Sequence, residues 1–176
     1  MAKLSREELV NRMKEVKLLA LDVDGVLTDD SIYFGPDGFE LKRFNISDGL
    51  FIVLALRSGL EVAIVSGRYS PATDTRMRDL GVKHVLQGMK DKVDMITPLL
   101  EQLNIAFDEI AFVGNEILDI KLANLAGIGI AVADSSPELL EAADYVTERG
   151  GGKGAVREVI ECYFEAVNIN PGGLLV

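Results

Sequence analysis

Two aspartates one residue apart, Asp22 and Asp24, open the run Asp22-Val-Asp-Gly-Val-Leu-Thr-Asp29, directly after the aliphatic stretch Val16-Lys-Leu-Leu-Ala-Leu21. That stretch is short and apolar enough for a buried strand. Carboxylates at its end stand where open α/β sheets gather their ligands. Two negative charges there are costly unless a cation lies between them or one of them reacts. The plain alternative is a turn, since Asp and Gly are common turn residues. Three further polar clusters follow later apolar runs: Ser66-Gly67-Arg68, then Gln87-Gly88 leading to Lys92, then Gly114-Asn115-Glu116-Ile-Leu-Asp119. Singly, these read as a turn, a solvated helix residue and an acidic helix N-terminus. Four of them, each trailing a different strand, describe one crevice that combines carboxylates, a hydroxyl and cations.

Positioning these groups requires strands that alternate with helices. Ser5-Arg-Glu-Glu8 is a capping-box pattern opening a helix to about Glu15, and the first strand follows at 17–22. Gly35-Pro-Asp-Gly38 is a turn signal between two short alternating runs, which predicts a β-hairpin over about 31–44. Helices are expected over 48–58, 71–80, 91–103, 117–126 and 137–143, and from the glycine run Gly150-Gly-Gly-Lys-Gly154 to about Val167. Strands are expected at 61–65, 83–86, 110–113, 129–133 and 145–147. The pattern predicts one doubly wound, mostly parallel α/β domain over residues 1–176, with a small hairpin insertion and no cap domain. The tail 168–176, carrying Pro171-Gly-Gly173, is expected to lack regular structure.

The 176 residues suffice for one domain with a sizeable core. No apolar run approaches a membrane span, and the first residues lack a signal-peptide core, which suits a cytoplasmic protein. One cysteine, Cys162, excludes an internal disulfide framework and reads as a packing thiol. One histidine, His84, argues against a zinc site or a Ser-His-Asp triad and is taken as structural. A net charge of −10 disfavours a nucleic-acid partner. It also means that an anionic substrate such as a phosphate ester needs local cations and a metal to overcome the field of the protein.

A strand ending in D-x-D-G-V-x-T, followed in order by Ser66, Lys92 and the acidic cluster at 114–119, resembles the phosphatases of the haloacid dehalogenase superfamily. Nearly the whole chain is similar to one family within it, the capless tetrameric phosphatases of 3-deoxy-D-manno-octulosonate 8-phosphate. The more specific segments are Phe44-Asn-Ile-Ser-Asp-Gly49, Ser66-Gly-Arg68, Asp91-Lys92, Ala142-Ala-Asp-Tyr-Val-Thr147 and Gly151-Gly-Lys-Gly-Ala-Val-Arg-Glu158. The resemblance implies a Rossmann-like fold, a role in lipopolysaccharide biosynthesis and a soluble sugar-acid phosphate as the partner. It implies that Asp22 attacks phosphorus and forms an aspartyl-phosphate, and that Asp24 protonates the leaving oxygen and then activates water. Ser66 and a neighbouring amide would hold phosphate oxygens, and Lys92 would neutralise phosphate and nucleophile. Mg²⁺ would be held by Asp22, the Asp24 carbonyl and Asn115, with support from Glu116 or Asp119. Asn45, Ile46, Ser47, Asp48, Gly49, Gly67, Arg68, Arg76 and Lys92, together with Asp24, would line the sugar-acid phosphate site.

The sequence departs from that pattern at Asn115, where the family usually carries aspartate. An amide oxygen coordinates Mg²⁺ without adding charge, so metal affinity should fall. A similar Gly-Asn-Glu sequence occurs in the phosphatase-like domain of animal sialic-acid cytidylyltransferases. Two alternatives therefore stand beside the octulosonate phosphatase: a phosphatase for a nine-carbon 3-deoxy-nonulosonate 9-phosphate, and a weakly active pseudoenzyme. A phospho-accepting receiver domain shares the parallel sheet but would carry its phosphorylated aspartate after the third strand. Alternate apolar residues on the hairpin, Ile32, Phe34, Phe39 and Leu41, cannot be buried by a lone two-stranded ribbon. The expectation is a homotetramer built through the hairpins, with the tail closing a neighbour's site.

Overall fold

The computed structural model describes residues 2–175. Helix α1 (Arg6–Met13) begins with the expected capping box: the Glu8 amide donates to the Ser5 hydroxyl, and the Ser5 amide donates to the Glu8 carboxylate at 2.7 Å. Strand β1 (Leu18–Leu21) is buried at all four positions. There follow β2 (Tyr33–Phe34), β3 (Glu40–Leu41), α2 (Ile46–Arg57), β4 (Glu61–Ser66), α3 (Pro71–Leu80), β5 (His84–Gln87) and α4 (Lys92–Leu103). The second half comprises β6 (Ile110–Gly114), α5 (Ile120–Leu125), β7 (Ile128–Ala131), α6 (Pro137–Ala142), β8 (Tyr145–Val146) and α7 (Ala155–Ala166).

Six strands form one sheet in the order β5-β4-β1-β6-β7-β8, with every neighbouring pair parallel. β2 and β3 pair antiparallel as the separate hairpin. The period of two along each strand assigns its side chains to two cores. Leu19, Leu21, Val62, Ile64, Ala111 and Val113 pack with α1, α2, α3 and α7. Leu18, Ala20, Ala63, Val65, Ile110 and Phe112 pack with α4, α5 and α6. The chain winds outward from β1 through β4 to β5, then crosses back to lay β6, β7 and β8 on the other side. The winding therefore reverses between β1 and β6, and at such a point the flanking loops part and leave a crevice at the carboxyl ends of the strands.

Three expectations change. Helix α2 starts at Ile46 rather than Asp48, because the Asn45 side chain accepts from the amides of Ser47 (2.8 Å) and Asp48 (3.2 Å) and caps it two residues earlier. The helix expected over 117–126 begins as a 3₁₀ turn, Ile117–Asp119, and becomes α5 only at Ile120. The tail does form regular structure within the described residues: Pro171–Leu174 is a 3₁₀ turn capped by the Asn170 side chain, which accepts from the Gly172 amide at 3.0 Å. Ile169 and Leu174 pack on the first core, and Arg57 donates to the Leu174 carbonyl at 2.7 Å. Two apolar anchors and a cap outweigh the proline and glycines; Val176, the last residue of that expectation, lies outside the described residues.

Cys162 is fully buried in α7, and burial pushes its thiol up to about 11, as fits a packing residue. His84 faces Glu61 at 3.2 Å where β5 and β4 begin, at the opposite end of the strands from the crevice loops. No helix among the described residues is long and apolar enough to cross a membrane.

The glycine run positions the site through close backbone approach. The Gly152 amide donates to the Val26 carbonyl at 2.9 Å, and the Gly151 amide donates to Asp134 at 2.8 Å. A Cβ on Gly151 would collide with the Gly25 carbonyl, just after Asp24. Gly151→Ala is therefore expected to destabilise the fold by about 1–3 kcal/mol, the usual cost of overpacking. Chemical denaturation of both proteins measures this.

Candidate active site

Strand β1 ends at Leu21, so Asp22 emerges at the carboxyl edge of the sheet, where its amide still donates to the Val113 carbonyl of β6 at 3.0 Å. The side chain is buried, and the Lys92 ammonium donates to it at 2.8 Å. Lys92 is the first residue of α4. Its helix is capped by the Asp91 carboxylate, which accepts from the Val93 and Asp94 amides at 3.0 and 3.2 Å. The same ammonium donates to Asp119 at 2.5 Å and lies 5.7 Å from the centre of the Phe112 ring. Burial pushes the Asp22 carboxyl well above the ordinary range, Lys92 opposes that shift, and Asp119 adds to it. Burial works against the charge on Lys92, but the two carboxylates prevail and hold its pKa above the usual lysine value.

Asp119 is fully buried, with both oxygens engaged. One meets Lys92; the other accepts from the Asn115 amide at 2.8 Å and the Glu116 amide at 3.0 Å. It is thus a brace that shapes the loop after β6, which accounts for the 3₁₀ turn there. Asn115 is buried, and its side-chain oxygen has no hydrogen-bond partner. Gly25 makes room for that amide, since a Cβ at position 25 would strike it. Glu116 caps its own turn, accepting from the Ile117 amide at 3.0 Å.

Ser66 ends β4. Its hydroxyl donates to the Arg68 carbonyl at 3.1 Å, which folds the Ser66-Gly67-Arg68 loop over the crevice. Asp22, Asp24, Ser66, Gly67, Arg68, Lys92, Asn115, Glu116 and Asp119 line one crevice of about 290 Å³. Asp30 and Lys90 line it too and were missed in the sequence, Asp30 because it lies one residue beyond the aspartate motif. Burial, and then Asp24 and Glu116 nearby, raise the Asp30 carboxyl above its ordinary range.

The remaining sugar-acid candidates do not line this crevice within one chain. Arg76 lies in a groove beneath the hairpin, with Phe39, Leu41 and Phe44, and its guanidinium covers Gly49. Asp48 is buried and accepts from the amides of Arg157 (2.8 Å) and Gly154 (3.2 Å), joining the starts of α2 and α7. Ser47 accepts from Arg157 at 3.0 Å, Asn45 donates to the Gly152 carbonyl at 3.2 Å, and Ile46 is exposed. Reasoning along the sequence also overlooked Glu40 and Lys42 of the hairpin. Lys42 meets the Asp24 carboxylate, and Arg68 meets Glu40. Only their alternation with Leu41 marked them, and that signal is no stronger than for any ribbon.

The crevice sets five acidic side chains (Asp22, Asp24, Asp30, Glu116, Asp119) against three basic ones (Arg68, Lys90, Lys92). An anionic substrate entering this field requires a cation. Among the described residues no three His, Cys, Asp or Glu side chains converge on a metal position. A donor set of one carboxylate, one main-chain carbonyl and one amide oxygen suits a hard ion such as Mg²⁺. The unpartnered Asn115 oxygen, buried beside Asp22, fits the third place.

A parallel sheet with a buried carboxylate paired to a lysine just after its central strand is the architecture of a hydrolase of the haloacid dehalogenase type, and residues 84–160 match the model of the haloacid dehalogenase-like hydrolase family. The 3-deoxy-D-manno-octulosonate 8-phosphate phosphatase KdsC of Escherichia coli (strain K12) is 44% identical over 154 residues, covering 88% of this chain and 82% of that protein. The Yersinia pestis enzyme of the same name is 39% identical over 155 residues, 88% of this chain and 83% of that one. The structure of the Moraxella catarrhalis enzyme, in complex with magnesium, phosphate and KDO, superposes with a TM-score of 0.88 at 38% identity, covering 91% of this chain and 92% of that one. The chain belongs to the 3-deoxy-D-manno-octulosonate 8-phosphate phosphatase family.

If Asn115 is a metal ligand, Asn115→Asp adds a charged donor and tightens Mg²⁺ binding by roughly tenfold or more. Calorimetric titration of both proteins measures it. Equal or weaker binding by the variant would remove Asn115 from the ligand set. Without metal the added carboxylate faces Asp22 and Asp119, so the apo variant should also melt at a lower temperature.

Proposed function

We propose that this chain is a Mg²⁺-dependent phosphatase that converts 3-deoxy-D-manno-octulosonate 8-phosphate into the free sugar acid and inorganic phosphate. The observation that carries this reading is the buried Asp22–Lys92–Asp119 cluster at the winding reversal, with Asp24 and the unpartnered Asn115 oxygen beside it. The eight-carbon acid is preferred to a nine-carbon one because the matched relatives are named for it.

In the first step an Asp22 oxygen bonds to phosphorus as the bond from phosphorus to the sugar oxygen breaks. Asp24 passes a proton to that departing oxygen. In the second step Asp24 takes a proton from water as the water oxygen attacks phosphorus, and the Asp22–phosphorus bond breaks to release phosphate. Lys92 keeps Asp22 from repelling the incoming anion, and Ser66 with the Gly67 and Arg68 loop holds phosphate oxygens. Asp22, the Asp24 carbonyl and Asn115 would hold Mg²⁺, which supplies the positive charge that the acid-rich crevice lacks. Arg76, next to Gly49, and the start of α2 lie outside the crevice of their own chain, so any contact they make with the sugar acid is with one bound to a neighbouring subunit.

The protein works in the cytoplasm as a homotetramer. Ile32, Phe34, Phe39 and Leu41 stay exposed on the hairpin, at 50%, 68%, 52% and 48%, which favours cover by another subunit. The docked tail lies at the far end of α2 from the chain's own crevice, so any site it closes is a neighbour's.

Asp22→Asn should lower turnover by about three orders of magnitude or more, since an amide cannot carry the phosphoryl group. Release of inorganic phosphate, with circular dichroism to verify the fold, tests this; near-parental turnover would overturn the mechanism. Light scattering should report a tetramer, and deleting residues 168–176 should raise KM or slow turnover without dissociating it. A monomeric parent would overturn the assembly, and unchanged kinetics would remove the role of the tail.

A further inference from the structure

The hairpin carries two charged side chains inward. Lys42, one residue past β3, is 1% exposed at its side chain and meets the Asp24 carboxylate. Its second anion is Glu40, at 3.6 Å. Glu40 is held in turn by the Ser70 hydroxyl, which donates to it at 2.7 Å, and by the Arg68 guanidinium. Charges thus alternate from Asp24 through Lys42 and Glu40 to Arg68, spanning the crevice from the loop after β1 to the loop after β4. A buried ammonium is costly unless it is paired, so this network fixes where Lys42 sits. Lys42 is also the one side chain that hydrogen-bonds the Asp24 carboxylate among the described residues. Asp24 lies three residues beyond the end of β1, and among the described residues no other side chain hydrogen-bonds its carboxylate, so Lys42 is the group that holds its orientation.

We propose that Lys42 is a positioning residue for proton transfer: it fixes one oxygen of Asp24 and leaves the other to serve the departing oxygen of the substrate. The inference rests on the phosphatase reading above and on Asp24 as its proton donor. In the step concerned the Asp22–phosphorus bond forms, the bond from phosphorus to the ester oxygen breaks, and the proton moves from Asp24 to that oxygen. Lys42 gives up no proton. The arrangement makes the hairpin part of the catalytic apparatus, because it carries the group that aims the acid. A lysine serving instead as a phosphate clamp would have to leave Asp24 and Glu40, its two present partners.

The two roles differ in their dependence on the leaving group. A residue that acts through the acid matters most when the departing oxygen is strongly basic, whereas a phosphate clamp or a structural brace matters equally for all esters. The experiment measures kcat/KM, with Mg²⁺, for phenyl phosphates of graded phenol acidity. This parameter reports on steps up to phosphorylation of Asp22. The series is run on the full chain and on Asp24→Asn, Lys42→Met and Lys42→Arg, with melting curves to verify folding. Lys42→Met should slow the ester of the least acidic phenol at least about tenfold more than p-nitrophenyl phosphate. Asp24→Asn should show the same pattern more strongly, and Lys42→Arg should restore the parental slope. Lys42→Leu, which likewise carries no hydrogen-bond donor, is read the same way if the methionine variant does not fold. A uniform loss across the series in the Lys42 variants, with Asp24→Asn still selective, would overturn the positioning role alone. Absence of selectivity in Asp24→Asn would overturn the proton-donor assignment and the inference with it.

Discussion

The ammonium group of Lys92 stands between Asp22 and Asp119, two carboxylates that could not share the interior without it. All three are buried, at 2.8 Å and 2.5 Å from one another through the lysine. Removing one partner of such a buried pair typically costs about 3–5 kcal/mol, because the remaining charge is left unpaired. The consequences reach past the pair. Asp119 uses its other oxygen to hold the amides of Asn115 and Glu116, so the loop after β6 takes its shape from the same cluster. Lys92 starts α4 and Asp22 ends β1, so the central strand, the second half of the sheet and one covering helix meet at a single cation.

The position of that cluster follows from the winding. β1 and β6 are paired in parallel, but the chain between them builds β4 and β5 on the other side before returning. The loops that leave β1 and β6 therefore diverge, and the crevice opens between them. Backbone approach completes one wall. Gly151 and Gly152 bring the loop before α7 against Gly25 and Thr28, so tightly that a side chain at position 151 has nowhere to go.

Charge then limits what the crevice can accept. Five acids and three bases line it, in a chain of net charge −10. An anion enters only if a divalent ion changes the balance, and the donors that remain unengaged are those that a hard ion prefers. Asp119 is spent on Lys92 and two amides, whereas the Asn115 oxygen is buried and unpartnered. The neutral amide at 115 keeps the crevice from gaining another negative charge among its carboxylates.

Much of this was legible in the sequence. Local signals are short-range, so the Ser5 capping box, the Gly35–Gly38 turn, the alternation of strands and helices, and the order of Asp22, Ser66, Lys92 and the 114–119 cluster could all be read directly. The two helix boundaries that moved did so through side chains bonding to nearby amides, Asn45 at α2 and Asp119 at the turn before α5. The tail acquired its 3₁₀ turn from Ile169 and Leu174 finding the core, a long-range gain that no local rule contains. The roles of Asp119, Glu40 and Lys42 were equally out of reach. Whether a carboxylate binds a metal, braces a loop or holds an arginine depends on which atoms surround it, and those atoms come from segments far away in the chain. Sequence by itself determined the class of fold and the order of the polar groups that line the crevice; tertiary structure alone decided which charges share a partner, because burial makes every unpaired charge costly and so assigns each one its neighbour.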